Sequence, residues 1–119
     1  MTSGTPSIHL IVLKTNKLQE QLTFYSSIGL DFSHHRHGSG PYHYATNGHP
    51  VIELYPLPKD VSVPDTTTRL GFTVDALDSL IQRLRETGAK VVSEPTHTQW
   101  GYNAVVQDFD GRKIELVQA

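Results

Sequence analysis

Apolar residues along this chain switch between two periods, and the switches mark the elements. Ile8 to Leu13 (IHLIVL) is an apolar run of strand length. The polar stretch Lys14-Thr15-Asn16 follows, with Asn16 placed to cap a helix. From Lys17 to Ile28 the apolar residues Leu18, Leu22, Tyr25 and Ile28 recur as one helical face, and Gly29 supplies the stop. Asp31 to His37 reads as a weak strand, Gly38 to Pro41 as a turn, and Tyr42 to Thr46 and Pro50 to Tyr55 as two further strands. Pro56, Pro58 and Pro64 then mark Pro56 to Thr68 as a surface linker.

After the linker the pattern restarts. Arg69 to Val74 is a strand, Asp75 caps or closely precedes a helix with apolar positions Leu77, Leu80, Ile81 and Leu84, and Gly88 stops it. Val91-Val92 predicts a short strand, Pro95 to Gly101 a loop, Asn103 to Gln107 a strand and Arg112 to Val117 the last. Leu18 matches Leu77 and Gly29 matches Gly88 at one offset, so the second half repeats the first. The predicted fold is α+β, a single domain over residues 1–119 with module one at about 7–56, a linker at 57–68 and module two at about 69–118.

Each half ends in a turn pair, Asn47-Gly48 or Asp110-Gly111, followed by a strand with one glutamate between Ile and Leu. Period-two alternation points Glu53 and Glu115 away from those apolar neighbours. Carried back to the first strands, the same offset pairs Leu10 with Arg69. Leu10, Glu53, Arg69 and Glu115 are therefore the four equivalent positions of a pseudo-twofold site.

Composition narrows the chemistry. At 119 residues the chain is long enough for one core. No cysteine is present, which excludes disulfides, thiolate metal sites and a thiol nucleophile. Ten Lys and Arg against twelve Asp and Glu, without long runs, argue against a nucleic-acid face. The polar start MTSGTPS has no secretory pattern and no apolar run reaches membrane length, so a cytoplasmic protein without a membrane partner is expected. Gly38-Ser39-Gly40 lacks the lysine and helix of a phosphate loop, and no serine sits in a nucleophile motif.

LQEQLTFYSSIGLDF, VIELYP, LGFTVDALD, the Trp100-Gly101 pair and DFDGRKIEL together resemble the glyoxalase / bleomycin-resistance / extradiol-dioxygenase superfamily, also called vicinal oxygen chelate proteins, over nearly the whole chain. The resemblance implies two β-α-β-β-β modules forming a cup-shaped, incompletely closed mixed β-barrel, and a homodimer that pairs modules within a chain or swaps them between chains. Enzymes of this superfamily commonly hold a divalent metal through His, Gln or Glu on the first and last strands of the modules. Glu53 and Glu115 match those positions, whereas Leu10 offers no lone pair and Arg69 is a permanent cation. The expectation is no cofactor, with a Glu53-Arg69-Glu115 cluster replacing the metal, because a planar guanidinium can bond both carboxylates. The alternative is a divalent metal: a one-residue slip of the first strand would turn His9 inward and give His9, Glu53 and Glu115 as ligands.

The remaining candidates surround that floor. Four histidines lie in HHRHGSGPYHY (His34 to Tyr44), and alternation spreads them over both faces, so at most one or two are expected in the cup. Leu10 and Val12 supply an apolar wall, and Tyr42, Tyr44, Tyr55, Trp100 and Tyr102 are candidates to sandwich a flat ligand. The expected activity is binding, and so sequestration, of a small organic molecule. The rival is an enzyme: a metal-dependent lyase or dioxygenase through His9, or a metal-free lyase or isomerase with Glu53 or Glu115 as base.

Overall fold

The two predicted modules are both present in the computed structural model, which describes residues 4–119; residues 1–3 of the polar MTSGTPS start lie outside the described residues. The first module comprises β1 (Leu10–Thr15), α1 (Leu18–Ile28), β2 (Phe32–His35), β3 (His43–Thr46) and β4 (Val51–Pro56). The second comprises β5 (Leu70–Val74), α2 (Leu77–Glu86), β6 (Lys90–Thr98), β7 (Gly101–Gln107) and β8 (Lys113–Gln118). Each forms its own mixed sheet, ordered β1-β4-β3-β2 and β5-β8-β7-β6. The strand that feeds the helix runs parallel to the last strand of its module, and the other pairs are antiparallel. Among the described residues the sheets are not joined by a strand pairing, so no barrel closes.

Local details depart from expectation where tertiary contacts outrank sequence signals. Asn16 does not cap α1, and Asp75 closely precedes α2 without capping it; the N-cap residues are Lys17 and Ala76, without side-chain cap bonds. The Thr15 hydroxyl instead accepts from the Lys17 N–H at 2.9 Å, and the Gln118 side chain, from the last strand, accepts from the Leu77 N–H at 3.0 Å. The strand expected at Val91-Val92 continues through Pro95 to Thr98. It lies at a sheet edge and shifts register on both sides of Ser93, which accommodates a residue with no N–H to donate.

One apolar core joins the modules through their helix sides. Leu13 and Leu54 of the first sheet, Val106, Ile114 and Leu116 of the second, and Phe24, Tyr25, Leu80 and Leu84 of the helices belong to one buried cluster. A polar lock lies beside it, in the turn from β7 to β8. Arg112, only 1 % exposed, bonds the carboxylates of Asp108 and Asp110 at 3.1 Å each and donates to the Lys14 carbonyl of β1 at 3.0 Å. From α1, the Tyr25 hydroxyl donates to Asp108 at 2.6 Å and the Gln21 amide to Asp110 at 2.8 Å. DFDGR is thus the junction between halves. The opposite faces of both sheets carry no helix, with Leu10 and Val12 exposed there although His43 and Asn103 are buried, and the radius of gyration is 15.4 Å, against about 13.5 Å for a compact chain of this length.

Candidate functional site

Residues paired across a ladder project to the same side, and the register sorts every candidate by face. In the first sheet Leu10 pairs with Val51, Val12 with Glu53, Lys14 with Tyr55, Ala45 with Glu53 and His35 with His43. All lie on the face away from α1, where Leu10 is 44 % and Val12 38 % exposed. In the second sheet Gly71 and Val105 both pair with Glu115, placing it on the face away from α2. A side chain on Gly71 would touch Glu115, since a Cβ there would sit 3.9 Å from the Glu115 Cβ. Arg69, one residue before β5, alternates onto this face and is exposed.

Leu10, Val12, Glu53, Arg69 and Glu115 therefore take the face that alternation assigns, but one chain does not bring the charged three together. The ion pairs among the described residues are those of Arg85 with Glu94, Arg112 with Asp108 and Asp110, and His43 with Glu53. Arg69 and Glu115 have none, so the expected Glu53-Arg69-Glu115 cluster does not form within the chain. The reason is the junction: the modules are joined on their helix sides, and their glutamate faces do not close on each other. His9 does not turn in either. Its carbonyl accepts from the Val51 N–H at 2.8 Å, extending the β1–β4 ladder without a slip. Among the described residues no three His, Cys, Asp or Glu side chains form a ready ligand set, so His9, Glu53 and Glu115 are not assembled as one.

Glu53 has a partner that the sequence reading missed. His43 is 1 % exposed, with Nε2 3.8 Å from a Glu53 carboxylate oxygen and 3.3 Å from the Tyr55 hydroxyl. The Tyr55 ring stacks on it with centroids 4.1 Å apart and planes at 9°. Nδ1 lies 3.3 Å from the Pro41 carbonyl, which can only accept. In the neutral ring Nδ1 therefore carries the proton and the Nε2 lone pair faces Tyr55 and Glu53. The His37 and His35 rings lie 5.0 and 5.9 Å from His43. Three histidines share this face. The signal was available in the β3–β4 hairpin, where pairing Ala45 with Glu53 brings His43 opposite Tyr55.

Other aromatic candidates turn away. Tyr44 pairs with the buried Leu54, its hydroxyl accepts from the Gln19 amide of α1 at 3.0 Å, and its ring stacks on His34 at 4.8 Å. Tyr102 donates to Asp78 of α2 at 2.7 Å, and that bond raises the Tyr102 pKa. Both rings pack on the helix side because their hydroxyls find partners there. Tyr42, 53 % exposed, stacks on the other side of His34 beneath the Arg36 guanidinium. Trp100 is 72 % exposed at the turn between β6 and β7. Beside the first open face, Ile8, Leu10, Val12, Val61 and Val63 line a groove of about 650 Å³ along β1 and the linker. A separate recess of about 410 Å³ lies between Ile11, Leu30, Ile52, Leu70 and Phe72.

Comparison with known proteins agrees with this architecture. Residues 7–116 match the family model described as Glyoxalase/Bleomycin resistance protein/Dioxygenase superfamily. No curated protein matches the sequence significantly. Among solved structures, a glyoxalase family protein from Bacillus cereus superposes with TM-score 0.79 at 19 % identity, covering 99 % of this chain and 97 % of its own. TnmS3, an antibiotic binding protein from Streptomyces sp. CB03234, gives 0.73 at 24 % identity, covering 98 % of each chain. A glyoxylase/bleomycin resistance protein/dioxygenase domain from Frankia sp. EAN1pec gives 0.72 at 21 %, covering 98 % and 99 %.

Proposed function

Because the chain belongs to the glyoxalase/bleomycin resistance protein/dioxygenase superfamily, we propose that it captures a small organic molecule in a cup built by two copies, the first sheet of one facing the second sheet of the other. The observation that carries this reading is the open face of the first sheet. Leu10 and Val12 lie bare beside Glu53 and the stacked His43-Tyr55 pair, an apolar and aromatic wall with few polar groups, as ligand sites are commonly built. The exposed groove of Ile8, Leu10, Val12, Val61 and Val63 supports pairing with a second copy, since apolar surface of this kind is usually covered. Such a pairing would set Arg69 of one copy against Glu53 of the other. TnmS3, which shares the fold, is an antibiotic binding protein, and capture is the activity that carries over most directly.

The floor of this cup is read as metal-free, because Leu10 and Arg69 add no ligand to Glu53 and Glu115. The residues at the four superfamily positions do not fit a resident ion. A second reading, a metal-free lyase or isomerase, draws on the placement of His43 Nε2 beside Glu53, a pair suited to proton transfer. Titration of chelator-treated protein with planar aromatic compounds, followed by the single tryptophan, tests binding. Depletion of ligand that stops at the molar amount of protein supports capture. Product formed in excess of the protein would replace capture with the enzymatic reading, and no binding across the panel would remove both.

A further inference from the structure

We propose that the molecule captured in the cup is an aromatic anion, and that Lys14 and Lys59 hold its carboxylate or equivalent group at one end of the first sheet. This assignment rests on the capture reading and deepens it. The open face of the sheet changes character along β1 and β4: Leu10 pairs with Val51, Val12 with Glu53, and then Lys14 with Tyr55. At the lysine end lies a recess of about 450 Å³, lined by Lys14, Lys59, Tyr55, Pro41 and Leu57. That volume is within the range of small-molecule sites. Among the described residues its lining includes two cations and apolar or aromatic side chains, and no carboxylate.

The walls of this recess are fixed by the fold. Tyr55 is held by its stack on His43, and the Pro41 carbonyl lies 3.3 Å from Nδ1 of the same histidine. The Leu57 N–H donates to the Thr15 carbonyl at 3.0 Å, which ties the linker to the end of β1, and the Val61 N–H closes a turn onto the Pro58 carbonyl at 3.1 Å with Lys59 inside it. The two ammonium groups are uncommitted. Among the described residues neither Lys14 nor Lys59 makes an ion pair, and the contact of Lys14 with Arg112 uses its carbonyl. Asp65, which shares the neighbouring groove with Lys14, accepts instead from Thr67 and Thr68, and Asp60 follows Lys59 without lining the recess. Cations without a counter-charge beside an aromatic wall favour an anionic partner, because charge-assisted hydrogen bonds are the strong ones. Glu53 sets the direction. It lies two residues before Tyr55 on the same face, about 7 Å along the strand, and repels an anion placed there. The flat body of the ligand therefore lies along Val12 and the Tyr55-His43 stack, with its charged end toward the lysines.

The test titrates the chelator-treated full chain by calorimetry with naphthoate, its neutral amide naphthamide and the cation naphthylmethylammonium, which share one flat ring system. Naphthoate should bind at least about tenfold more tightly than naphthamide, with the cation weakest. The preference should shrink between about 0.05 and 0.5 M salt, because both lysines are exposed. Lys14→Gln with Lys59→Gln should bring naphthoate to the affinity of the amide with an unchanged melting curve. Lys113→Gln, which removes a cation from the open face of the second sheet, should keep the preference. Equal binding of naphthoate and naphthamide, tightest binding of the cation, a preference that survives the double variant, or one that disappears with Lys113→Gln would overturn this assignment and leave capture standing. Binding of none of the three would overturn capture and the assignment with it.

Discussion

Asp108 and Arg112 show how far one residue's environment can outrun its sequence neighbourhood. DFDG reads as a turn, and a turn it is, but Asp108 bonds Tyr25 at a separation of 83 positions and Arg112 reaches the Lys14 carbonyl across 98. No local pattern reports such partners. The ion pairs of Arg112 are nearly fully buried, so removing one member strands a charge. Arg112→Met should destabilise the chain by about 3–5 kcal/mol, seen as a lower urea midpoint. Tyr25 adds a pH dependence whose sign follows from its surroundings. Burial first, then the neighbouring Asp108 charge and hydrogen bond, push its phenol well above the ordinary tyrosine value. The folded state therefore keeps a proton that the unfolded chain releases above about pH 10. The stabilisation is complete below that pH and declines as pH rises past it. Tyr25→Phe should flatten the alkaline limb of a stability-versus-pH curve, while costing roughly 1.5–3 kcal/mol at neutral pH through the lost bond to a charged acceptor.

At the scale of elements, periodicity was a sound guide to type and order, because amphipathic burial sets both. Both helices are legible from the apolar faces that begin at Leu18 and Leu77, and the repeat from matching Leu18 with Leu77 and Gly29 with Gly88 at one offset. Helix starts were not, since Leu77 is capped from 41 residues away by Gln118. Gln118→Ala should lower stability by about 1 kcal/mol in thermal unfolding, whereas Asn16→Ala and Asp75→Ala should stay within about 0.5 kcal/mol of the parent. A larger loss at Asp75 than at Gln118 would contradict this account of the cap. The open-face residues of β1, β4 and β8 were legible because a one-residue change flips a strand's faces. The histidine hairpin was less so. His43 is buried by stacking on Tyr55, a contact set by the pairing of β3 with β4 and invisible to either strand read alone.

For the whole molecule, the two modules share their core on the helix side and leave their glutamate faces open, which makes self-association and ligand capture a single question. Leu10 and Val12 contribute to no buried core, so charges there should spare the monomer fold. The parent is expected to sediment as a dimer, and Leu10→Asp with Val12→Asp to give a folded monomer by sedimentation and circular dichroism and to lose ligand binding with it. A dimeric double variant would place the interface elsewhere. The charges test orientation more sharply. If Arg69 of one copy faces Glu53 of the other, Glu53→Arg and Arg69→Glu should each weaken association, and the combined exchange should recover part of what either loses. Two independent losses that simply add would mean the residues do not meet across the interface. Ligand affinity carries the last constraint, because a cup assembled from two copies must lose binding on dilution at the concentration where the dimer dissociates. Binding that persists in the dilute monomer would require the cup to lie within one chain, against the open arrangement of the two sheets.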